Sequence, residues 1–120
     1  MINRIAYNNI VDNNTIFCKA LKYHLSQKEY YVETCVSHSE FQDKDIKEYD
    51  LILLDIKLKD AQGLDIIQYI LGKCPDKKII IISSYLDEES ILKANELGAY
   101  KCIHKSSRLF KELDNLIKEI

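Results

Sequence analysis

Several features are missing from this sequence, and each absence removes a class of function. No apolar run approaches the ~20 residues needed to span a bilayer. The opening Met1-Ile2-Asn3-Arg4-Ile5 shows no charged-then-apolar signal pattern. A cytoplasmic protein without a membrane partner is therefore expected. There is no large excess of charge: 17 Lys and Arg against 19 Asp and Glu leave a net charge of -2. No basic surface thus points to nucleic acid as a direct partner. The cysteines, Cys18, Cys35, Cys74 and Cys102, lack metal-site and redox-motif spacing, and each lies among apolar residues. They read as reduced, small hydrophobes. Repeats, low-complexity tracts and linkers are also absent. At 120 residues the chain is long enough for one domain with a real core and too short for two.

What is present is an alternation. Leu51-Ile52-Leu53-Leu54 runs straight into Asp55. So short a continuous apolar run predicts a strand buried on both faces, as in a parallel sheet. Gly63 follows, placed where a loop can take an awkward backbone angle. Ile79-Ile80-Ile81-Ile82 predicts a second such strand, ending in Ser83-Ser84. Tyr30 to Val36 is rich in β-branched and aromatic residues and predicts another. Tyr100 to His104 predicts a short last strand, ending in Lys105. The first strand signal, Arg4 to Val11, is interrupted by Asn8-Asn9, and Ile10-Val11 lead into Asp12-Asn13-Asn14-Thr15.

Helical spacing separates these runs. Phe17, Ala20, Leu21, His24 and Leu25 form one stripe, on which His24 is expected to be buried or half-buried. Ser37 to Glu40 has capping-box spacing ahead of a short helix with Phe41, Ile46 and Tyr49 facing inward. Leu64, Ile67, Ile70 and Leu71 form a further face, ended by Gly72 and Pro75. Asp87 to Ser90 puts acids at the start of a helix that stops at Gly98. Ser106 or Ser107 is expected to cap a final helix. Five strand–helix alternations imply right-handed crossovers and a parallel sheet covered on both faces.

In such a sheet the carboxyl ends of the strands share one edge, where ligands bind. Asp12 with Asn13, Asp55, Ser83 and Lys105 each follow a different apolar run, so they can converge there. Each alone reads as a surface cap; four at successive strand ends suggest chemistry. Carboxylates and an amide oxygen suit Mg²⁺. A carboxylate can be a nucleophile toward phosphorus, and a metal with a lysine offsets phosphoryl charge.

With those residues in place the chain resembles, over its whole length, the receiver domain of two-component response regulators. The resemblance is carried by Val11-Asp12-Asn13, Leu51 to Asp55 with Gly63, Ile79 to Ser83, Gly98-Ala99 and Lys105. His104-Lys105-Ser106-Ser107 is similar to the NarL-type subgroup, whose members usually carry a DNA-binding helix-turn-helix after the receiver. The resemblance implies a single receiver domain over residues 1–120, an α/β flavodoxin-like (CheY-like) fold with strand order 2-1-3-4-5, and no output domain in this chain. It implies a phosphoacceptor, Asp55, charged by a sensor histidine kinase. Mg²⁺ would be held by Asp12, Asn13, Asp55 and the backbone carbonyl of Lys57. Ser83 and Ser84 would bind the phosphoryl group, with Lys105 as its cationic partner, and Cys102 would stand at the switch position. Transcription would be controlled through DNA contacts of an output domain elsewhere, and a homodimer is allowed for. Beyond phosphotransfer and dephosphorylation on itself, no enzyme activity is implied.

The chain departs from the family pattern. Asn13 replaces the second acid of the metal-binding pair, so weaker metal binding is expected. Lys59 and Ser106 stand where proline is common, and Cys102 replaces the aromatic switch residue. A second register would put Asn8-Asn9 at the acidic pair; Asp12 is preferred for its spacing to the following helix. Tyr85 and Lys57 are expected to flank the approach of water. These losses motivate an alternative, a pseudo-receiver acting as a phosphorylation-independent interaction or dimerisation module. A flavin or nucleotide enzyme of similar topology is disfavoured, because Asp12-Asn13-Asn14-Thr15 has no glycine and carries a carboxylate that repels phosphate.

Overall fold

The aliphatic runs form the centre of a parallel sheet. The structure, a computed structural model, describes residues 2–8, 15–35, 38–56, 61–84 and 86–120. Its elements in chain order are β1 (Arg4–Asn8), α1 (Thr15–Ser26), β2 (Tyr31–Cys35), α2 (His38–Gln42), a 3-10 turn (Ile46–Glu48), β3 (Leu51–Asp55), α3 (Ala61–Lys73), β4 (Lys78–Ser83), α4 (Glu88–Leu97), β5 (Lys101–His104) and α5 (Leu109–Glu119). The strands lie in the order β2-β1-β3-β4-β5, all parallel.

Two apolar layers explain why the central strands are aliphatic at every position. Leu51 and Leu53 face one layer with Ile5, Tyr7, Leu21, Leu25, Leu113 and Ile117. Ile52 and Leu54 face the other with Ala6, Phe41, Ile67, Ile70 and Ala94. Side chains alternate along a strand, so a strand covered on both sides has no polar position to spare. Phe41, Ile46 and Tyr49 are buried as expected. His24 is half-buried, its Nε2 2.9 and 3.0 Å from the two oxygens of Asp114 and its ring stacked on Phe110.

The ends of α4 follow the sequence. Asp87 accepts a hydrogen bond from the Ser90 backbone at 2.8 Å, and Gly98 closes the helix at φ +108°. Two expectations are corrected. Neither Ser106 nor Ser107 caps α5: Arg108 precedes the helix without a side-chain cap. Ser106 Oγ instead accepts from the Arg108 amide at 3.2 Å, a local turn that delays the helix start to Leu109. Gly63 lies inside the first turn of α3, which already begins at Ala61, not in the loop before it. In β1 (Arg4–Asn8) Asn8 stands opposite Leu54, and the remainder of the expected strand, up to Val11, lies outside the described residues. Residues 9–14 and Ser37 lie outside the described residues.

The outer strand β2 carries a polar cluster. Glu33 accepts from Tyr49, and from Tyr31 at 3.1 Å, with Lys44 at 3.2 Å and Arg4 at 3.7 Å. The Arg4 guanidinium also lies over the rings of Tyr31 and Tyr49. The Tyr49 hydroxyl is the main reason the Glu33 carboxyl titrates below its ordinary range.

Candidate functional site

The register fixes what meets at the carboxyl edge. Asp55 ends β3 opposite Ile82, Ser83 ends β4 opposite His104, and Lys105 follows β5. The Lys105 amide donates to the Ser83 carbonyl at 2.8 Å, which ties the start of the last loop to the end of β4. Asp55 shares a face with Leu51 and Leu53, so its carboxylate points toward the layer covered by α1 and α5.

That carboxylate is buried, at 4% exposed, and it has a half-buried cation. Lys105 Nζ lies 2.7 Å from Asp55 Oδ2. A buried charge is tolerated only when paired and hydrogen-bonded. A second donor reaches the same oxygen: the Tyr7 hydroxyl, at 3.0 Å. Tyr7 sits on β1 opposite Leu53. The centroid of the Phe17 ring, from α1, lies 4.2 Å from Lys105 Nζ. The cation thus meets both a carboxylate and an aromatic face, each of which favours it.

The structure brings together three of the residues expected from the sequence: Asp55, Ser83 and Lys105. Ser83 is buried and Ser84 exposed, the Ser84 carbonyl accepting from His104 Nε2 at 2.9 Å. Cys102 is half-buried against the α3–α4 layer, where burial pushes its thiol pKa upward. Asp12, Asn13, Lys57, Lys59 and Tyr85 lie outside the described residues. At the end of β1 the described residue is Asn8, fully buried, one position short of the level of Asp55. Among the described residues no three His, Cys, Asp or Glu side chains gather as a metal site.

Two participants escaped the sequence reading. In the sequence Phe17 reads as part of an apolar helical stripe, and Tyr7 as part of a weak strand. The signal for Tyr7 is its phenol: a polar tip next to Ile5 and Ala6, in register two residues before a buried acid.

Comparison with known proteins places the chain in a family. Residues 9–118 match the family described as response regulator receiver domain. The acid tolerance regulatory protein ActR of Rhizobium meliloti is 29% identical over 97 residues, 80% of this chain and 50% of that protein. A CheY-like receiver domain protein from Methanospirillum hungatei superposes with a TM-score of 0.82 at 27% identity, covering 99% of this chain and 93% of that one. The response regulator TrrA of Thermotoga maritima, in complex with Mg²⁺-BeF, does so with a TM-score of 0.77 at 27% identity, covering 99% and 98%. The chain spans half or less of the length of the curated relatives it matches.

Proposed function

Because the chain belongs to the response regulator receiver domain family, we propose that Asp55 accepts a phosphoryl group from the phosphohistidine of a sensor histidine kinase. The observation that carries this reading is a buried carboxylate at the carboxyl edge of the sheet, held at 2.7 Å by a half-buried ammonium. An Asp55 oxygen attacks phosphorus, and the nitrogen–phosphorus bond of the donor breaks. Lys105, on a flexible stem, transfers its charge from the carboxylate to the new phosphoryl oxygens. The hydroxyl of Ser83, at the end of the neighbouring strand, then bonds the same group. Its movement, with the Ser83–Lys105 backbone link, biases the loops after β4 and β5.

The site chemistry fits Mg²⁺. One lysine balances one carboxylate, whereas the phosphorylated site carries more negative charge than Lys105 can offset. A hard cation takes oxygen donors and supplies the missing charge. Between Asn8 and Thr15 the one acid is Asp12. With Asn13, the Lys57 carbonyl and Asp55 it would hold the ion. TrrA, in complex with Mg²⁺-BeF, supports Mg²⁺ as the ion. The named transcriptional regulators among the relatives support control of transcription as the output, exerted through a domain outside these residues, in the cytoplasm.

Acetyl phosphate with Mg²⁺, followed by intact mass, tests the reading. The chain should gain one phosphoryl mass and the Asp55→Asn variant none. A second reading, a pseudo-receiver that binds partners or itself without phosphorylation, is favoured by the amide of Asn8 at the end of β1 and by Cys102 at the switch position. No mass gain, under conditions that label a control receiver, would favour it.

A further inference from the structure

Tyr7 lies before the residues that match the receiver family, so that match gives it no role. The fold nevertheless fixes its place. Its side chain is fully buried opposite Leu53, and its hydroxyl donates to Asp55 Oδ2 at 3.0 Å. Lys105 Nζ meets the same oxygen at 2.7 Å. The two donors differ in mobility. Lys105 can swing to an arriving phosphoryl group. The phenol is a rigid ring clamped in the core and stays with the carboxyl group.

Resting on Asp55 as the phosphoacceptor, we propose that Tyr7 is a positioning residue that sets the lifetime of the aspartyl phosphate. It does so by keeping a hydrogen bond on the carboxyl oxygen that does not bond phosphorus. In phosphorylation, Oδ1 attacks phosphorus, the oxygen–phosphorus bond forms, and the donor's leaving group departs with its electron pair. Oδ2 becomes the carbonyl oxygen of a mixed anhydride. In hydrolysis, water attacks phosphorus and the bond to Oδ1 breaks. The electron pair returns to the carboxylate, and the water protons stay with phosphate and solvent.

The returning charge spreads onto Oδ2. A hydrogen bond to an ionised oxygen is roughly twice as strong as one to a neutral carbonyl. Tyr7 therefore stabilises the carboxylate more than the anhydride. It makes Asp55 a better leaving group and a poorer nucleophile, so the phosphate forms more slowly and leaves faster than it would without the phenol. The difference between the two hydrogen bonds corresponds to an effect of about fivefold.

The test compares the unaltered chain, Tyr7→Phe and Asp55→Asn with acetyl phosphate and Mg²⁺. Intact mass follows labelling and, after the donor is removed, loss of the phosphoryl group. Tyr7→Phe should be labelled faster and should keep its phosphate about fivefold longer. A merely structural role predicts otherwise, because a loosened site is labelled more slowly. An unchanged lifetime, or slower labelling, overturns the role of Tyr7 and leaves that of Asp55 intact. If the unaltered chain gains no mass, or Asp55→Asn gains as much, the phosphoacceptor reading falls and takes this one with it. Should Tyr7→Phe lack a cooperative thermal transition, 3-fluorotyrosine in place of Tyr7 decides. Its more acidic hydroxyl must shorten the lifetime; an equal or longer one overturns the proposal.

Discussion

Replacing Lys105 with methionine keeps the unbranched stem and deletes the charge. Asp55 is then left buried, with the Tyr7 hydroxyl as the partner described at 3.0 Å and its cation gone. Removing one member of a buried ion pair typically costs about 3–5 kcal/mol. The site has one escape, which is to take up a proton. At pH 7 that costs about 4 kcal/mol, from ~1.4 kcal/mol for each unit above an ordinary carboxylate pKa near 3.9. The two routes are similar, so Lys105→Met should lose about 3–4 kcal/mol at pH 7. The sign with pH follows. In the variant, the folded-state pKa of Asp55 lies above its unfolded value, so the penalty is largest at high pH and shrinks as pH falls toward the unfolded value. At pH 5 protonation costs only about 1.5 kcal/mol, which caps the deficit near that figure. Urea unfolding followed by circular dichroism at both pH values measures it, and the chain has no tryptophan to follow instead. A variant as stable as the parent at pH 7, or a deficit that grows at pH 5, would refute the reasoning.

Further outcomes are expected elsewhere. Asp50 accepts from the backbone amides of Arg4 and Asn3 at 3.0 and 2.8 Å, and these bonds lower its pKa. Asp50→Asn should cost about 1 kcal/mol at pH 7. Because the folded pKa is depressed, the difference should fade as pH drops below about 4, which acid-unfolding curves will show. Gly98→Ala forces a side chain onto φ +108° and sets its Cβ 2.8 Å from Leu71 Cδ1. It should lose about 1–2 kcal/mol in a thermal melt. Asn13→Asp restores an acid near the proposed metal and should tighten Mg²⁺ by about tenfold in calorimetry. If Tyr85 shields the phosphate from water, Tyr85→Ala should shorten the phosphate lifetime; an unchanged lifetime removes that role.

The parts of the fold legible in the sequence were those written in uninterrupted chemistry. Leu51 to Leu54 and Ile79 to Ile82 admit one environment, covered on both faces, and both are central strands. Asp87 and Gly98 bracket a helix because a cap and a left-handed turn need those residue types. The first strand was harder to bound. Asn8 breaks its apolar character, yet it is fully buried and paired opposite Leu54, an environment that strand propensity does not foresee for an amide. Gly63 misled in the opposite direction, since a glycine in a helical first turn carries the same letter as one in a loop. At the site, Asp55 and Lys105 announced themselves as charges next to aliphatic runs. Tyr7 and Phe17 did not, because their part depends on contacts between residues 48 apart, and on an aromatic face meeting a cation, neither of which periodicity records.

An open sheet has two margins, and each offers unpaired amides to a neighbouring chain. The β2 margin is guarded by Glu33, Lys44 and the Arg4 guanidinium stacked on two phenols. The β5 margin is a four-residue strand bounded by Lys101 and His104. Short, charged borders of this kind resist the docking of a foreign strand. The sheet is thereby kept from extending its ladder into that of a neighbouring chain.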